Sequence, residues 1–411
     1  MLSIQDIDNF LEQRNYDLRV SGNGRWIDQK CTPDVLWSIA DFILNYVDNI
    51  SSQFTVANIW ESEYAKMTIS ETYSKPGTDE ETAKNEYDKV FSQPMNLLCY
   101  AGIITDISPT RGHLYIIENR EVLEYIARND VFSLRFLQCY IEKVLQDSDL
   151  LPIFQNFFDA QNKQSFNLMK TTFIDFYHDY TPIKKDFEPK RIFTKVINPL
   201  AYKYSKKGTY KGRMSPNIIR RSDLMYNQDN FRDVYQGKPR EMTRQEWLSR
   251  NPNIDVRNGY FEQMLSNSKR LLRASINEFR ANISELTQYI EEHNDITSPT
   301  QIHHIFPKNE FPEIMHYLEN LIALTPNQHY NFAHPNNNTS LVDLAAQKVL
   351  LIAKTHSIEE NLNSEIEEPI YEFSNLLTVL SVGWGNDEVL DIPENDYHGV
   401  IHTITYHYDA I

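Results

Sequence analysis

The chain has 411 residues, of which 41% are hydrophobic and 24% are charged, a composition typical of a soluble globular protein with two or three domains. No apolar run reaches the roughly 18 residues of a membrane span, the N-terminus does not resemble a signal peptide, and three separated cysteines argue against a disulfide framework. The net charge of −17 does not exclude a nucleic-acid partner, because twelve of the acids lie in residues 355–411, which contain no Lys or Arg. We therefore expect a cytoplasmic protein without a membrane partner.

The N-terminal part predicts a helical module that ends in a β-hairpin. Residues 35–48 have apolar side chains at helical spacing after a Thr-Pro-Asp start, 54–64 follow, and 80–101 form a further helical run. The next segment alternates on both sides of a Pro-Thr-Arg-Gly turn at 109–112. Three helices followed by a two-stranded hairpin are typical of a winged helix, so residues 1–130 are predicted to be a winged-helix-like module. Whether it reads DNA or contacts protein stays open.

The middle region, residues 131–290, is predicted to be helical and to contact DNA. Residues 184–221 hold twelve Lys or Arg and only two acids, with tyrosines between the cations. Lys and Arg neutralise phosphates and tyrosines stack on bases, so this segment is a candidate nucleic-acid surface. The alternative is a solvated loop. The candidate DNA-binding residues are Lys203, Lys206, Lys207, Lys211 and Arg213. Residues 261–293 then show one long helical pattern.

The segment 301–335 contains the residues best suited to chemistry. Ile302–Phe306 predicts a short strand that ends at Pro307, and His303 and His304 should point to opposite faces of it. Leu321–Leu324 predicts a second strand after Asn320. Thr325-Pro326 is a typical helix start, which places His329 in the first helical turn. Two strands and a helix would bring His303, His304, Asn320 and His329 around one point.

These residues resemble the HNH (ββα-metal) endonuclease family. The His303-His304 doublet followed by Ile305-Phe306-Pro307, the Asn320-apolar strand and His329 nine residues later match its three elements. The resemblance implies that His303 and His329 ligate one divalent cation, Mg²⁺ or alternatively Mn²⁺. It also implies that His304 is the general base and that Asn320 fixes the base-bearing strand and its imidazole. It covers about 35 of the 411 residues.

The chemistry of phosphodiester hydrolysis explains these residue types. The reaction needs a deprotonated water and a cation that stabilises the developing charge. A neutral imidazole can take the proton of the water, provided that a partner on its other nitrogen orients the ring.

The segment also departs from the family. Many members bind a structural zinc through CxxC pairs, but Thr325 and Gln328 stand where one pair would fall, so no structural zinc is expected. His334 lies five residues after His329, about 140° around an α-helix, so the two should not share a ligand face. We expect His334 to contact DNA phosphate or to be a plain loop residue.

The overall expectation is an α+β, mostly helical fold, with residues 291–411 as an HNH nuclease domain that has an acidic C-terminal tail. No P-loop is present, so ATP is not expected. The predicted function is cleavage of double-stranded DNA by a bacterial type II restriction endonuclease, a possible homodimer with a separately encoded DNA methyltransferase.

Three alternatives remain. One is a winged-helix DNA-binding regulator in which the ββα-metal finger of residues 301–335 is inactive. Another is a different HNH nuclease, which could be homing, nicking or specific for modified DNA. The third is a PD-(D/E)xK-like site at Asp175 or Asp186 with Glu188–Lys190, although Pro189 would break the strand that this motif needs.

Overall fold

A computed structural model of the chain describes residues 2–73, 83–108, 113–226, 239, 242, 244–250, 258–334 and 342–410. The described residues are mostly helical, with three two-stranded antiparallel sheets, which confirms the expected fold class. The chain forms two compact units, residues 1–229 and 230–411. The predicted divisions after residues 130 and 290 therefore fall inside these units. Within the described ranges, no helix is both long and apolar enough to cross a membrane.

The first unit is built mainly from helices. They are α1 (Ile4–Glu12), α2 (Leu18–Ser21), α3 (Pro33–Asn49), α4 (Val56–Trp60), α5 (Glu63–Tyr73), α6 (Ala83–Ala101), α7 (Arg120–Ile126), α8 (Asp130–Asp147), α9 (Leu151–Ala160), α10 (Lys163–Tyr180) and α11 (Phe187–Lys203). Local sequence signals determine where several helices begin. Ser3 forms a capping box with Asp6 at α1, Pro33 is the first residue of α3, and Asn129 caps α8.

Helix α8 lies at the centre of the first unit. It packs against α1, α3, α7 and α11, and its apolar residues are buried on most of its circumference. A helix that is apolar around most of its surface belongs to a core. This packing explains why the chain does not divide near residue 130.

A short hairpin follows α6, as the alternating pattern predicted. Strands β1 (Ile104–Asp106) and β2 (Tyr115–Ile117) pair antiparallel, with Ile104 opposite Ile117. The predicted turn at 109–112 lies outside the described residues.

The basic segment forms α11 and a second hairpin, so it is not a loop. Strands β3 (Lys207–Tyr210) and β4 (Arg213–Ile218) are joined by Lys211 and Gly212, whose φ angles are 48° and 76°. Positive φ at both central residues matches the twist of a two-residue hairpin, and glycine adopts it without strain. Glu188–Lys190 lies in the first turn of α11, so the PD-(D/E)xK-like alternative lacks its strand.

The second unit encloses a small sheet with helices. They are α12 (Arg244–Arg250), α13 (Asn258–Phe279), α14 (Glu285–Tyr289), α15 (Leu344–Leu362), α16 (Phe373–Trp384) and α17 (Tyr397–Asp409), around strands β5 (Gln301–His304) and β6 (Leu321–Leu324). Two expectations are wrong here. The helix predicted over 261–293 is interrupted, since Ala281 and Asn282 have φ angles of 49° and 56°, outside the helical region. The expected acidic tail is instead α15–α17, which bury apolar residues between the acids.

A buried charge network holds the sheet edge of the second unit. The Glu285 carboxylate accepts hydrogen bonds from the Ala323 backbone N–H of β6 at 2.8 Å and from Lys354 Nζ on α15 at 2.6 Å. Both charged side chains are fully buried. Among the described residues β5 is the one strand that pairs with β6, so the carboxylate satisfies an edge donor that water cannot reach.

Candidate metal centre

The β5–β6 hairpin places the two adjacent histidines in different surroundings. His303 pairs with Ile322 and His304 with Leu321. Strand β6 is fully buried at all four positions, which fixes the register of the hairpin. His303 lies beside His329 and His334, whereas His304 contacts the backbone at Met315. The strand alternation expected for the doublet is therefore present.

Three imidazoles converge beside β5. Ligand atoms of His303, His329 and His334 all lie within 4.8 Å of one another. The ring centroids are 5.3 Å apart for His303 and His329, and 4.9 Å apart for the two pairs that include His334. The Nδ1 atoms of His329 and His334 are buried without a hydrogen-bond partner among the described residues. Buried polar atoms rarely stay unpaired, so this donor set fits a metal ion.

His334 is the residue that the sequence interpretation placed wrongly. Residues Gln328–Ala333 form a π-helical turn, and the His334 backbone N–H donates to the His329 carbonyl at 3.1 Å. An i→i+5 hydrogen bond brings residues five apart to the same side, whereas an α-helix would separate them. His334 thus joins the cluster from which α-helical geometry excluded it.

The environment of the cluster favours neutral imidazoles. Burial, followed by the neighbouring His334 and His329, lowers the pKa of His303 to about 3. Burial also lowers the pKa values of His329 and His334. A neutral imidazole is the form that ligates a metal, so no proton has to leave at neutral pH.

His304 has one ring nitrogen fixed by the backbone. Its Nε2 lies 3.1 Å from the Met315 carbonyl oxygen, which can only accept a hydrogen bond. This contact assigns the proton of the neutral ring to Nε2 and leaves Nδ1 able to accept one. The pKa of His304 is lowered to about 4. Burial is the largest cause of this shift, and the positive charge of Lys269 is the next.

Asn320 holds the segment after β5 and not the imidazole itself. It is fully buried, and its Oδ1 accepts the Phe306 N–H at 2.8 Å. Its Nδ2 donates to the carbonyls of Phe306 at 3.1 Å and Ile314 at 3.3 Å. Ile314 precedes Met315, whose carbonyl contacts His304, so Asn320 fixes the base only through this backbone.

Two lysines near His304 were missed by sequence reasoning. The charges of Lys269 and Lys308 both act on His304. Lys269 follows Ser268 on α13, whose hydroxyl donates to the His316 carbonyl at 2.7 Å, one residue from Met315. Lys308 also pairs with Glu262 at 3.3 Å. A lysine 35 positions before the doublet gives no sequence signal, because α13 reaches it through tertiary packing.

Thr325 and Gln328 form hydrogen bonds at the positions where the family has zinc ligands. Thr325 Oγ1 donates to Asp295 at 2.6 Å. Gln328 Nε2 donates to Thr287 Oγ1 at 2.7 Å and to the His293 carbonyl at 2.9 Å. These contacts connect the π-helical turn to α14 and the segment that follows it.

The candidate DNA-binding cations of the first unit differ in their partners. Lys203 forms an ion pair with Glu142 at 2.6 Å. The other four have no carboxylate partner in the described part of the chain: Lys206, Lys207, Lys211 and Arg213. Tyr210 is 52% exposed, and Lys211 Nζ lies 5.1 Å from its ring centroid. The hairpin therefore presents unneutralised cations beside an exposed aromatic ring.

The chain matches no known family model, and a search of curated proteins and of solved structures finds no significant similarity.

Proposed function

We propose that this chain is a metal-dependent HNH endonuclease that hydrolyses phosphodiester bonds of double-stranded DNA, with a type II restriction endonuclease as the specific form. The observation that carries the proposal is the convergence of His303, His329 and His334 beside His304. His303 and His304 lie on opposite faces of β5, so a cation held at the cluster and a base at His304 can act from separate positions.

In this proposal His303, His329 and His334 hold one divalent cation. Such a cation would stabilise the charge that develops on the phosphate and the leaving oxygen. The family resemblance implies that this cation is Mg²⁺, for which Mn²⁺ can substitute. A donor set of three imidazoles favours a transition metal such as Mn²⁺, Ni²⁺ or Zn²⁺ over Mg²⁺, which prefers oxygen ligands.

His304 acts as the general base. Its Nδ1 takes a proton from the attacking water, while the Met315 carbonyl keeps the ring oriented through Nε2. Lys269 provides positive charge near the base, suited to a phosphate oxygen. Asn320 hydrogen-bonds to Phe306, which follows β5, and to Ile314, which precedes Met315. It therefore positions the two backbone segments that hold His304 and its carbonyl partner.

The β3–β4 hairpin is proposed as a DNA-contacting surface. Lys206, Lys207, Lys211 and Arg213 neutralise phosphates, and Tyr210 contacts a sugar or base. The helices before β1–β2 are proposed as a winged-helix-like module that adds recognition. One ββα-metal site cuts one DNA strand. A double-strand break therefore requires a homodimer or two successive cuts.

The metal requirement tests the proposal. Plasmid DNA is incubated with the apoprotein plus Mn²⁺, Ni²⁺, Zn²⁺ or Mg²⁺, with EDTA as the negative control. We expect cleavage only with metal, and weakening of metal affinity by about tenfold or more in His303→Ala, His329→Ala and His334→Ala. His402→Ala, an exposed histidine on α17, is the matched control.

Other outcomes separate the alternatives. Metal binding and DNA binding without nicking in any metal would favour the winged-helix regulator with an inactive finger. Sequencing of cut ends from genomic DNA would separate a restriction enzyme, with one short repeated site, from a homing, nicking or modification-specific nuclease. Full cleavage in EDTA would contradict the metal mechanism.

A further inference from the structure

The first unit contains a cleft of about 670 Å³ that the proposed nuclease reaction does not use. It lies between the segment after α1, the C-terminal part of α6 and the β1–β2 hairpin. A cleft of this size is within the range of small-ligand sites. Its lining includes several hydrogen-bond donors, as the individual side chains show.

Arg14 supplies positive charge to the cleft. Its guanidinium has no ion-pair partner in the described ranges. It lies over Gly102, where an added Cβ would come within 2.0 Å of Arg14 Cζ. Gly102 also has a φ of 81°, a conformation that glycine adopts without strain. Glycine at this position thus leaves room for the guanidinium.

Three asparagines add further donors. Asn15 Oδ1 accepts the Asp17 N–H at 2.9 Å, and Asn23 Oδ1 accepts the Arg25 N–H at 3.0 Å. Because their oxygens are engaged by the backbone, these two side chains offer their NH₂ groups. Asn96 is exposed on α6 and lines the same cleft.

The acidic residue in the lining has its acceptor positions occupied by other groups of the hairpin. Asp106 accepts hydrogen bonds from the Ser108 backbone N–H at 3.0 Å and lies 2.6 Å from His113 Nδ1. Its carboxylate is therefore satisfied within the hairpin. Arg25 is likewise engaged, because it pairs with Asp28 and with Glu188 at 3.4 Å. Arg14 is thus the cation of this lining that can receive an anionic ligand.

Tyr100 provides a fixed aromatic surface. Its hydroxyl lies 2.8 Å from Ser21 Oγ, and its ring packs edge-to-face with Tyr16 at 5.7 Å between centroids. A ring held by a neighbouring ring and by its hydroxyl can contact a planar ligand without losing much side-chain entropy.

We propose that this cleft binds a nucleotide unit, with its phosphate at Arg14 and its base against Tyr100. An Arg guanidinium matches phosphate oxygens in a bidentate manner, and the asparagine NH₂ groups match acceptors on a base edge. The unit can come from a free nucleotide or from a base rotated out of a DNA duplex. The site is independent of the histidine cluster, so the proposed nuclease activity can fail without affecting it.

Calorimetry on the 411-residue chain in EDTA tests the first source. The probes are the four deoxynucleoside monophosphates, the matching nucleosides and inorganic phosphate. We expect at least one monophosphate to bind at a single site. The matching nucleoside and inorganic phosphate should each bind at least about tenfold more weakly than that monophosphate. Arg14→Gln and Asn96→Ala should each weaken binding by a similar factor. Arg120→Gln, whose arginine pairs with Asp48 and Glu124, is the control.

A duplex that carries 2-aminopurine tests the second source. A rise in fluorescence on protein binding, lost in Arg14→Gln while duplex affinity persists, identifies a base taken from DNA. Binding of a free monophosphate without that rise identifies a free nucleotide. The proposal is overturned if neither signal appears, if inorganic phosphate binds as tightly as every monophosphate, or if folded Arg14→Gln and Arg14→Lys proteins bind like wild type.

Discussion

His303 and His304 are sequence neighbours in different environments, because successive side chains of β5 point to opposite sides. His303 faces two other imidazoles, and burial with these neighbours lowers its pKa to about 3. His304 faces the Met315 carbonyl and the charge of Lys269. The same side chain therefore suits a metal ligand at one position and a proton acceptor at the next.

Removal of the proposed base should affect turnover and not DNA binding. We expect His304→Ala to lower kcat by about 10²–10⁴-fold, because a general base acts in the transition state. The dissociation constant for a target duplex should stay close to that of wild type. Single-turnover cleavage and a filter-binding assay measure the two quantities, with His402→Ala as the control. Cleavage by His304→Ala within about tenfold of wild type would reject the assignment.

Glu319, next to Asn320, gives a pH dependence to the stability of the second unit. Its Oε1 accepts the Glu372 N–H at 2.9 Å, whereas Oε2 is buried without a partner in the described part of the chain. Burial raises the pKa of Glu319 from 4.5 to about 7. Between these values the folded state keeps a proton that the unfolded state has released. The free energy of unfolding should therefore fall as pH rises from 4.5 to 7, and this contribution should level off above 7.

Glu319→Gln should remove this dependence, because the amide stays neutral at every pH. The contribution of Glu319 across the window is on the order of 3 kcal/mol. Urea denaturation at pH 5 and pH 8 measures it, with the exposed Glu310→Gln as the matched control. An equal loss of stability between the two pH values in wild type and Glu319→Gln would contradict this interpretation.

At the scale of elements, two short structures determine what their side chains can reach. The π-helical turn brings His334 into the metal centre, and the two-residue turn at Lys211-Gly212 projects cations from a hairpin. Both change the direction of side chains that a regular helix or a longer loop would send elsewhere.

The hairpin cations should control the salt dependence of DNA binding. Replacement of Lys206, Lys207 and Lys211 by Gln should weaken binding to specific and random duplexes alike, because phosphate contacts carry little sequence information. The slope of log K against log salt should become shallower by about 0.9 for each lost phosphate contact. Fluorescence anisotropy across a salt series measures both effects.

Lys203→Gln is the matched control for this series, because Glu142 already neutralises Lys203. It should leave the slope nearly unchanged. A triple variant with wild-type slope and affinity would show that the hairpin does not contact DNA, and recognition would then lie elsewhere in the chain.

At the scale of the whole molecule, charge is separated along the chain. Residues 184–221 concentrate the cations, whereas residues 355–411 hold twelve acids and no Lys or Arg. In the second unit most of those acids lie in the segments that connect α15, α16 and α17, while the helices themselves bury apolar residues. A net charge of −17 is compatible with a local basic surface, since salt at moderate concentration screens exposed charges that are more than about 10 Å apart.

The sequence by itself determined the features that repeat over a few residues. Alternation placed His303 and His304 on opposite faces of a strand, helical spacing predicted α3 and α6, and a hydrophobic run identified β6. Backbone sterics impose these periods locally, so neighbours in sequence are sufficient to reveal them. The mostly helical fold class follows from the same signals.

Only the tertiary structure decided which distant groups meet. A single extra residue in the turn after β6 moved His334 into the cluster, Glu142 neutralised Lys203 from another helix, and α13 placed Lys269 near His304. The break at Ala281-Asn282 likewise allows Glu285 to reach β6. Such contacts depend on small departures from regular backbone geometry and on packing between residues far apart in sequence, which no local period encodes.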